Sequence, residues 1–495
     1  MSHPHTKQSS LLSGTASMTI SHFFFLGTGY LVQIVLASIL PPASYGLFGV
    51  LLATLNLGEL IFSQGILRNV TSLIAREPSK AARVIRTGQR VQYVAIGLVS
   101  VVFLLFARQI ATALHSTELT PYIRFLALMT PLYGVRAFYA SILGGFKLFN
   151  RQSFHRIIGG FIKLLAIPAV FLWQDLYAIL IAYFVSNLYL LIAYSVEARR
   201  WPDFHSGTGM YPLRPFLDAI MPLLTYVALI PFLQSFDLYA VKILLPDGGT
   251  SSGYYAGAAS LARIAMNLFV PLSMTLLPSL AGAMLPENAS HLRSYHDKTD
   301  GVFLLTLLPA ILLPLSMAGD ILDLFFPSSF RAGAVALLWL IASTSCIVFL
   351  EKSLLYFVAG TRYRLLAWFI LPIIPTYLAA LCFLVPRAGL AGAAFASFLV
   401  TLLAMIAVRI AIWRVYRLPF PFRRFFRIAF CASLPSAVGF LLPFSGVLIV
   451  VKCFLLLILY LAALFLFRAL TQEELRYPAR LFRPILRRLR FSSSK

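Results

Sequence analysis

The feature that most constrains this chain is the recurrence, from one end to the other, of apolar runs of about 17 to 25 residues separated by short polar stretches. At about 1.5 Å of rise per residue, each run wound as a helix crosses the roughly 30 Å of hydrocarbon in a bilayer. Lipid offers a backbone no hydrogen-bond partners, so such runs must be helices that satisfy their own peptide groups. The composition agrees: 60% hydrophobic and 12% charged, with mean hydropathy +0.85, against roughly half and a quarter in soluble chains. The expected class is an all-α polytopic membrane protein, with no room in 495 residues for a large soluble domain.

Hydropathy predicts about fourteen spans, at 16–40, 45–67, 91–112, 121–146, 157–173, 176–196, 216–245, 254–280, 301–319, 333–359, 365–385, 389–412, 428–443 and 447–467. Between the fifth and sixth, only Gln174 and Asp175 mark a turn. The expected organisation is a cytoplasmic tail at 1–15, helices 1 to 6 at 16–200, a cytoplasmic linker at 201–215 and helices 7 to 12 at 216–412. An appended helix pair at 413–467 and a basic tail at 468–495 complete it.

With the N-terminus placed inside, 30 of the 41 Lys and Arg fall in inner loops and tails, and only Arg108, Arg331 and Arg387 fall in outer loops. That asymmetry predicts a multi-pass protein of a bacterial-type cytoplasmic membrane with both termini in the cytoplasm. It also accounts for the net charge of +24 without nucleic acid, which would need a basic face on a soluble domain. The tail beyond Arg476 interleaves arginines with Leu481, Phe482, Ile485, Leu486 and Leu489, a pattern suited to lying on membrane lipids. Cys346, Cys382, Cys431 and Cys453 lie in apolar runs without metal-ligand spacing and read as small core residues.

The chain carries an internal repeat. Ile39-Leu40-Pro41 followed by Tyr45-Gly46-Leu47-Phe48 opens helix 2; Leu244-Leu245-Pro246 followed by Gly253-Tyr254-Tyr255 opens helix 8. Helix 4 ends in Gly145-Phe146-Lys147 and helix 10 in Gly360-Thr361-Arg362. Each copy crosses the membrane an even number of times, so the copies are parallel, related by an axis along the membrane normal. Halves so related are expected to rock about a central cavity.

Eight basic residues remain within or at the ends of spans. Arg124, Lys242, Lys452 and Arg409 lie near span ends, where long side chains snorkel to the interface. Arg136 in helix 4, Lys163 in helix 5 and Arg263 in helix 8 lie deeper, where an ionised group costs about 2.5 to 3.5 kcal/mol. They must face protein or water. One reading pairs them with Glu59, Asp237 or Glu351; the other makes Arg136, Lys163, Arg263 and Lys352 a cationic cavity for phosphate and sugar hydroxyls. Glu59, Asp237 and Glu351 are then coupling or counter-ion candidates. His22 is the only histidine inside an expected span, and no phosphate-binding loop, metal motif or nucleophile elbow is present. No cofactor and no catalysis are expected.

The stretch from Leu36 to Phe48, with Phe236-Asp237, Leu244-Leu245, Gly253-Tyr254-Tyr255-Ala256-Gly257-Ala258 and Gly360-Thr361-Arg362, resembles the signature segments of the polysaccharide-transport (Wzx-type oligosaccharide flippase) family. That family lies within the multidrug/oligosaccharidyl-lipid/polysaccharide exporter superfamily, and the similarity covers about residues 15–470. It implies two parallel six-helix lobes in a V, alternating access, and export of a lipid-linked (undecaprenyl-pyrophosphate-linked) oligosaccharide for surface polysaccharide, alongside polysaccharide-assembly enzymes. Ser38 stands where the family often has Arg, and Ala43-Ser44 where it often has acidic residues, so the resemblance does not carry over an outer-gate charge pair at that corner. The alternatives are a multidrug or cation exporter of the same superfamily, normally with twelve spans and an acidic, aromatic cavity, and a peptidoglycan-precursor flippase. A membrane polymerase or acyltransferase would need a long outer loop, and the longest here is about 14 residues.

Overall fold

The computed structural model of the chain describes residues 11 to 470, apart from 174, 205–208, 268–275, 277–279, 281, 285–288, 361, 443 and 445. Among these the chain is helical and contains no strand. The first half holds α1 (Leu11–Ile39), α2 (Pro42–Arg76), α3 (Ala81–Leu105), α4 (Ala107–Ala113), α5 (Leu119–Gly145), α6 (Phe149–Lys163), α7 (Ala166–Trp173) and α8 (Leu176–Arg199). The second holds α9 (Leu213–Leu244), α10 (Gly248–Asn267), α11 (Ala289–Leu312), α12 (Ala318–Phe325), α13 (Ala334–Ala359) and α14 (Tyr363–Tyr416). The appended pair is α15 (Phe422–Leu441) and α16 (Leu448–Leu466).

Ten helical stretches among the described residues are long and apolar enough to cross a membrane. The last of the expected six spans of the second half needs no helix of its own, because Trp368–Tyr416 carries two spans. It contains Pro372, Pro375 and Pro386, and Gly389 at φ 57° and ψ −135° breaks its helical path. Tyr377 Oη and Ser397 Oγ lie 2.6 Å apart, whereas an unbroken helix would separate positions twenty residues apart by about 30 Å. The two arms therefore fold back on each other. The expected spans 2 and 7 fall on α2 and α9, and α10 holds the first part of span 8, most of whose remainder (268–280) lies outside the described residues. The turn after the fifth span is set by Asp175, whose carboxylate caps α8 by accepting from the amide of Tyr177 at 3.2 Å.

The packing repeats as the sequence does. In the first half α2 packs on α5, α3 on α5, α1 on α6 and α5 on α8; in the second, α10 packs on α13, α11 on α13, α9 on α14 and α13 on α14. Each contact has its counterpart one repeat later. The halves meet where α2 lies against α9 and α10. At the heads of α2 and α10 the two copies of the repeated phrase touch: a Cβ on Gly46 would lie 2.7 Å from the Gly253 amide nitrogen, and one on Gly253 would overlap the Pro42 carbonyl. Glycine is required there because backbone meets backbone. The appended pair docks through α15 on α11, and α16 packs on α15.

Three expectations are corrected. Cys382 and Cys453 are exposed, and only Cys346 and Cys431 are buried. An apolar run in a membrane faces lipid as readily as core, so apolar context does not imply burial. Of the four cations near span ends, Arg124 is exposed, but Lys242, Lys452 and Arg409 are buried. Lys452 is held by the carbonyls of Ser316 and Leu442, at 3.3 and 3.0 Å, rather than snorkelling. Finally, the candidate spans Phe149–Trp173 and Leu292–Ser316 begin earlier than hydropathy placed them, so His155 and His296 join His22 inside spans.

Candidate functional site

Lys163 ends α6, where the helix breaks before α7, and its ammonium reaches towards α1 and α8. The Nζ lies 4.5 Å from the ring centre of Phe25 and 5.2 Å from that of Tyr183. Ring faces attract a cation, which offsets part of its lost hydration. Gly29 of α1 makes the room, since a Cβ there would lie 2.6 Å from Nζ. Arg136 of α5 sits 5.4 Å from the ring centre of its neighbour Tyr133, within electrostatic reach of Lys163. Among the described side chains no ion pair to Lys163 is present. Glu59 belongs to α2, but its side chain lies outside the described residues. A buried ammonium held against ring faces, with no carboxylate paired to it among the described side chains, is a place where an anion is favoured.

From this pair an aromatic path leads to the meeting of the halves. Tyr183 stacks with Phe48 at 6.4 Å, Phe48 meets Tyr45 in a tilted contact at 6.2 Å, and Tyr45 is within electrostatic reach of Arg263. Arg263 of α10 donates to the carbonyl of Gln234 on α9. Beside it, Asn267 donates to Tyr30 Oη at 2.8 Å, tying α10 to α1 across the halves, and Thr54 shares a 3.0 Å hydrogen bond with Tyr239.

Asp237 of α9 is buried, at 3% exposure. Its carboxylate accepts from Tyr255 Oη at 2.8 Å, Ser397 Oγ at 3.1 Å and the Leu238 amide at 2.8 Å. Tyr377 bonds Ser397 and donates to the Leu233 carbonyl at 3.1 Å. The carboxylate thus joins α9, α10 and the second arm of α14, with the first arm linked through Tyr377 and Ser397, and Arg263 is near enough to act on it electrostatically. Such a buried carboxylate ringed by hydroxyls can hold a proton or a small cation. No three His, Cys, Asp or Glu among the described residues are grouped to hold a metal ion.

The structure places Lys352 elsewhere. It is buried in α13 and paired with Asp300 of α11, which also takes Arg409 of α14 at 2.8 Å. Glu351, its neighbour, is half-buried. The sequence-predicted residues therefore divide into Arg136 with Lys163, Arg263 with Asp237, and Lys352 with a partner that hydropathy had left in a loop. Asp300 was legible in one respect: His296, Asp300, Phe303 and Leu307 recur at helical spacing and are all buried, while Arg293, Asp297 and Lys298 are exposed.

Comparison with known proteins follows this geometry. A family model described as polysaccharide biosynthesis protein matches residues 11–284, more than half of the chain. No curated protein matches the chain in sequence. Among solved structures, lipid II flippase MurJ in an inward closed conformation is similar with TM-score 0.73 and 12% identity, over 91% of this chain and 98% of that one. An inward-facing multidrug resistance MATE family transporter of the MOP superfamily is similar with TM-score 0.65 and 13% identity, over 81% of this chain and 99% of that one. The Vibrio cholerae MATE transporter VcmN follows at 0.61 and 16%, over 83% and 98%. At such identities the likeness speaks for the fold, and the matched stretch runs through the whole first half and into the second. The chain belongs to the polysaccharide biosynthesis protein family and is a multi-pass membrane protein with the fold of these flippases and transporters.

Proposed function

We propose that this chain is a flippase that carries a lipid-linked, anionic oligosaccharide across the bacterial cytoplasmic membrane for surface polysaccharide assembly, by rocking its two halves. The observation that carries the reading is the pair Lys163 and Arg136, set among Phe25, Tyr183 and Tyr133, in a chain of the polysaccharide biosynthesis family. Clustered cations suit a phosphate, and aromatic faces suit the sugar rings that follow it. Arg263 extends the cationic surface from the second half, with Asp237 as its counter-charge or as a coupling site. Glu59 and Glu351 remain in the same role, and Lys352 belongs to the proposed site only if its pairing with Asp300 opens. Both termini are taken to be cytoplasmic, on the basic asymmetry of the loops.

A second reading, a peptidoglycan-precursor flippase, is favoured by one comparison: the lipid II flippase covers 91% of this chain, and the MATE transporters 81 to 83%. The MATE transporters are themselves covered almost completely, so this chain carries helices beyond their fold. The test is the lipid-linked saccharide that accumulates when the gene is deleted. A trapped surface-glycan precursor, cleared by the restored chain but not by Lys163→Ala, supports the first reading, and a trapped peptidoglycan precursor the second. Normal export with neither precursor trapped sinks both.

A further inference from the structure

The two arms of α14 do not close on each other along their whole length. Beyond Thr376 and Val400 they are pinned, where Tyr377 Oη and Ser397 Oγ lie 2.6 Å apart. From that pin towards Trp368 and Ala407 they leave an apolar groove of about 500 Å³, lined by α14 alone. Ile373, Val400 and Ala404 are its buried floor, and Trp368, Leu403 and Ala407 its exposed rim. Pro372 interrupts the hydrogen-bond ladder of the first arm, and Ala404 and Ala407 present methyl groups where larger side chains would fill the gap. Thr376 carries the one hydroxyl in the lining, and it already donates to the Pro372 carbonyl at 2.7 Å.

Past the open end of the groove the chain turns basic. Arg414 follows Ala407 by seven residues, on the same helical face and about 10 Å further along. Arg362, just ahead of the first arm, holds its guanidinium carbon 5.5 Å from the ring centre of Tyr416, two residues after Arg414. Both arginines are exposed, and neither is in an ion pair among the described residues. Trp368 and Trp413, both exposed, stand between the groove and the arginines, as aromatic rings do at a membrane interface.

We infer that the groove holds one hydrocarbon chain of an anionic phospholipid, with Arg362 and Arg414 on its phosphate. The parts follow the order of such a lipid: charge, then interfacial rings, then an apolar trough about 12 Å long, the rise of the helix from Trp368 to Thr376. An arginine fork matches phosphate oxygens. A docked helix, about 10 Å across, would need about twice the volume over that length, so a partner helix does not fit. A saccharide would meet hydrocarbon and a hydroxyl already engaged. The lipid chain fills the gap the arms leave, so that α14 is packed by α13 and α9 on one side and by the lipid on the other.

The inference does not depend on which substrate is carried. Near a headgroup each arginine favours an anionic lipid about five-fold, so two favour it about twenty-five-fold. Native mass spectrometry reads this on the purified full chain, stripped in detergent and offered equal phosphatidylglycerol and phosphatidylcholine with the same chains. One phosphatidylglycerol should be retained with that preference. Arg362→Gln with Arg414→Gln should bring the preference close to one, and Ala407→Phe, which fills the groove, should release the lipid. Arg423→Gln with Arg427→Gln, which removes two exposed charges from α15, should change neither. If the α14 double variant does not fold, Ala407→Phe decides alone. A preference that survives the loss of Arg362 and Arg414 or falls equally in the α15 variant, or a lipid still held by Ala407→Phe, overturns the proposal. So does undecaprenyl phosphate displacing phosphatidylglycerol, which would make the groove a seat for a substrate carrier instead.

Discussion

Gly253 of α10 rests against the carbonyl oxygen of Pro42 at the head of α2, so closely that a methyl group there would overlap it. Backbone on both sides cannot give way as a side chain can. Gly253→Ala should therefore disfavour the closed meeting of the halves by about 1 to 3 kcal/mol, or roughly five- to a hundred-fold in population. Alkylation of a cysteine introduced at Ser44 would report the opening. Gly27→Ala is the control, because nothing lies within 4 Å of its Cβ position; equal labelling in both variants would refute the reading.

Gly29 offers a test of the cationic pair that leaves the charge in place. Its added Cβ would meet only the flexible end of Lys163, so Gly29→Ala should leave thermal stability nearly unchanged while moving the ammonium off Phe25 and Tyr183. A charge-assisted contact contributes about 1.5 to 3 kcal/mol, so Lys163→Ala should lower the flux of the lipid-linked saccharide about ten- to a hundred-fold and Gly29→Ala by less. Flux is read from precursor remaining on the inner leaflet at matched protein levels. Full activity in Lys163→Ala would remove the site.

Asp300 stands between two buried cations, Lys352 and Arg409. Asp300→Ala leaves both uncompensated and should cost about 3 to 5 kcal/mol or abolish folding. Lys352→Met leaves Asp300 paired with Arg409 one to one and should be far milder. Thermal unfolding in detergent orders the two variants, and the reverse order would mean the pairing is not what holds this end together.

Gly389 reverses the chain between the arms of α14 at φ 57°, a conformation glycine alone adopts at ease. Gly389→Ala should cost about 1 to 3 kcal/mol, whereas Ala388→Gly, one position away, should cost well under that. Limited proteolysis at the turn and the melting temperature measure both.

The helical frame was legible because hydrocarbon thickness imposes one length on every span, and the repeat was legible because the same close glycine contact must be made twice. What was not legible was which way each helix faces. Lys452 and Arg409 sit near span ends and looked free to reach water, yet each turns inward to carbonyls or to Asp300, a matter of rotation that spacing in one helix does not determine. Asp300 and His296 were hidden for another reason: the first turns of α11 expose Arg293, Asp297 and Lys298, so averaged hydropathy reads them as loop although one face is buried. Lys163 of α6 and Arg136 of α5 come within electrostatic reach of each other, and such proximity between helices has no signature in either.

The longest single-piece helix of the second half begins inside the first. Near one end of α9, Phe216 and Ile220 are seated among Ile66 and Val70, and the Phe216 carbonyl accepts from Asn69 at 3.2 Å; towards the other end Asp237 binds Tyr255 and Ser397. Over its 32 residues the rod is about 48 Å long. A change in what Asp237 holds would therefore reach the seat of Phe216 in the opposite half along one helix, with Pro222 and Pro231 as the places where it could bend.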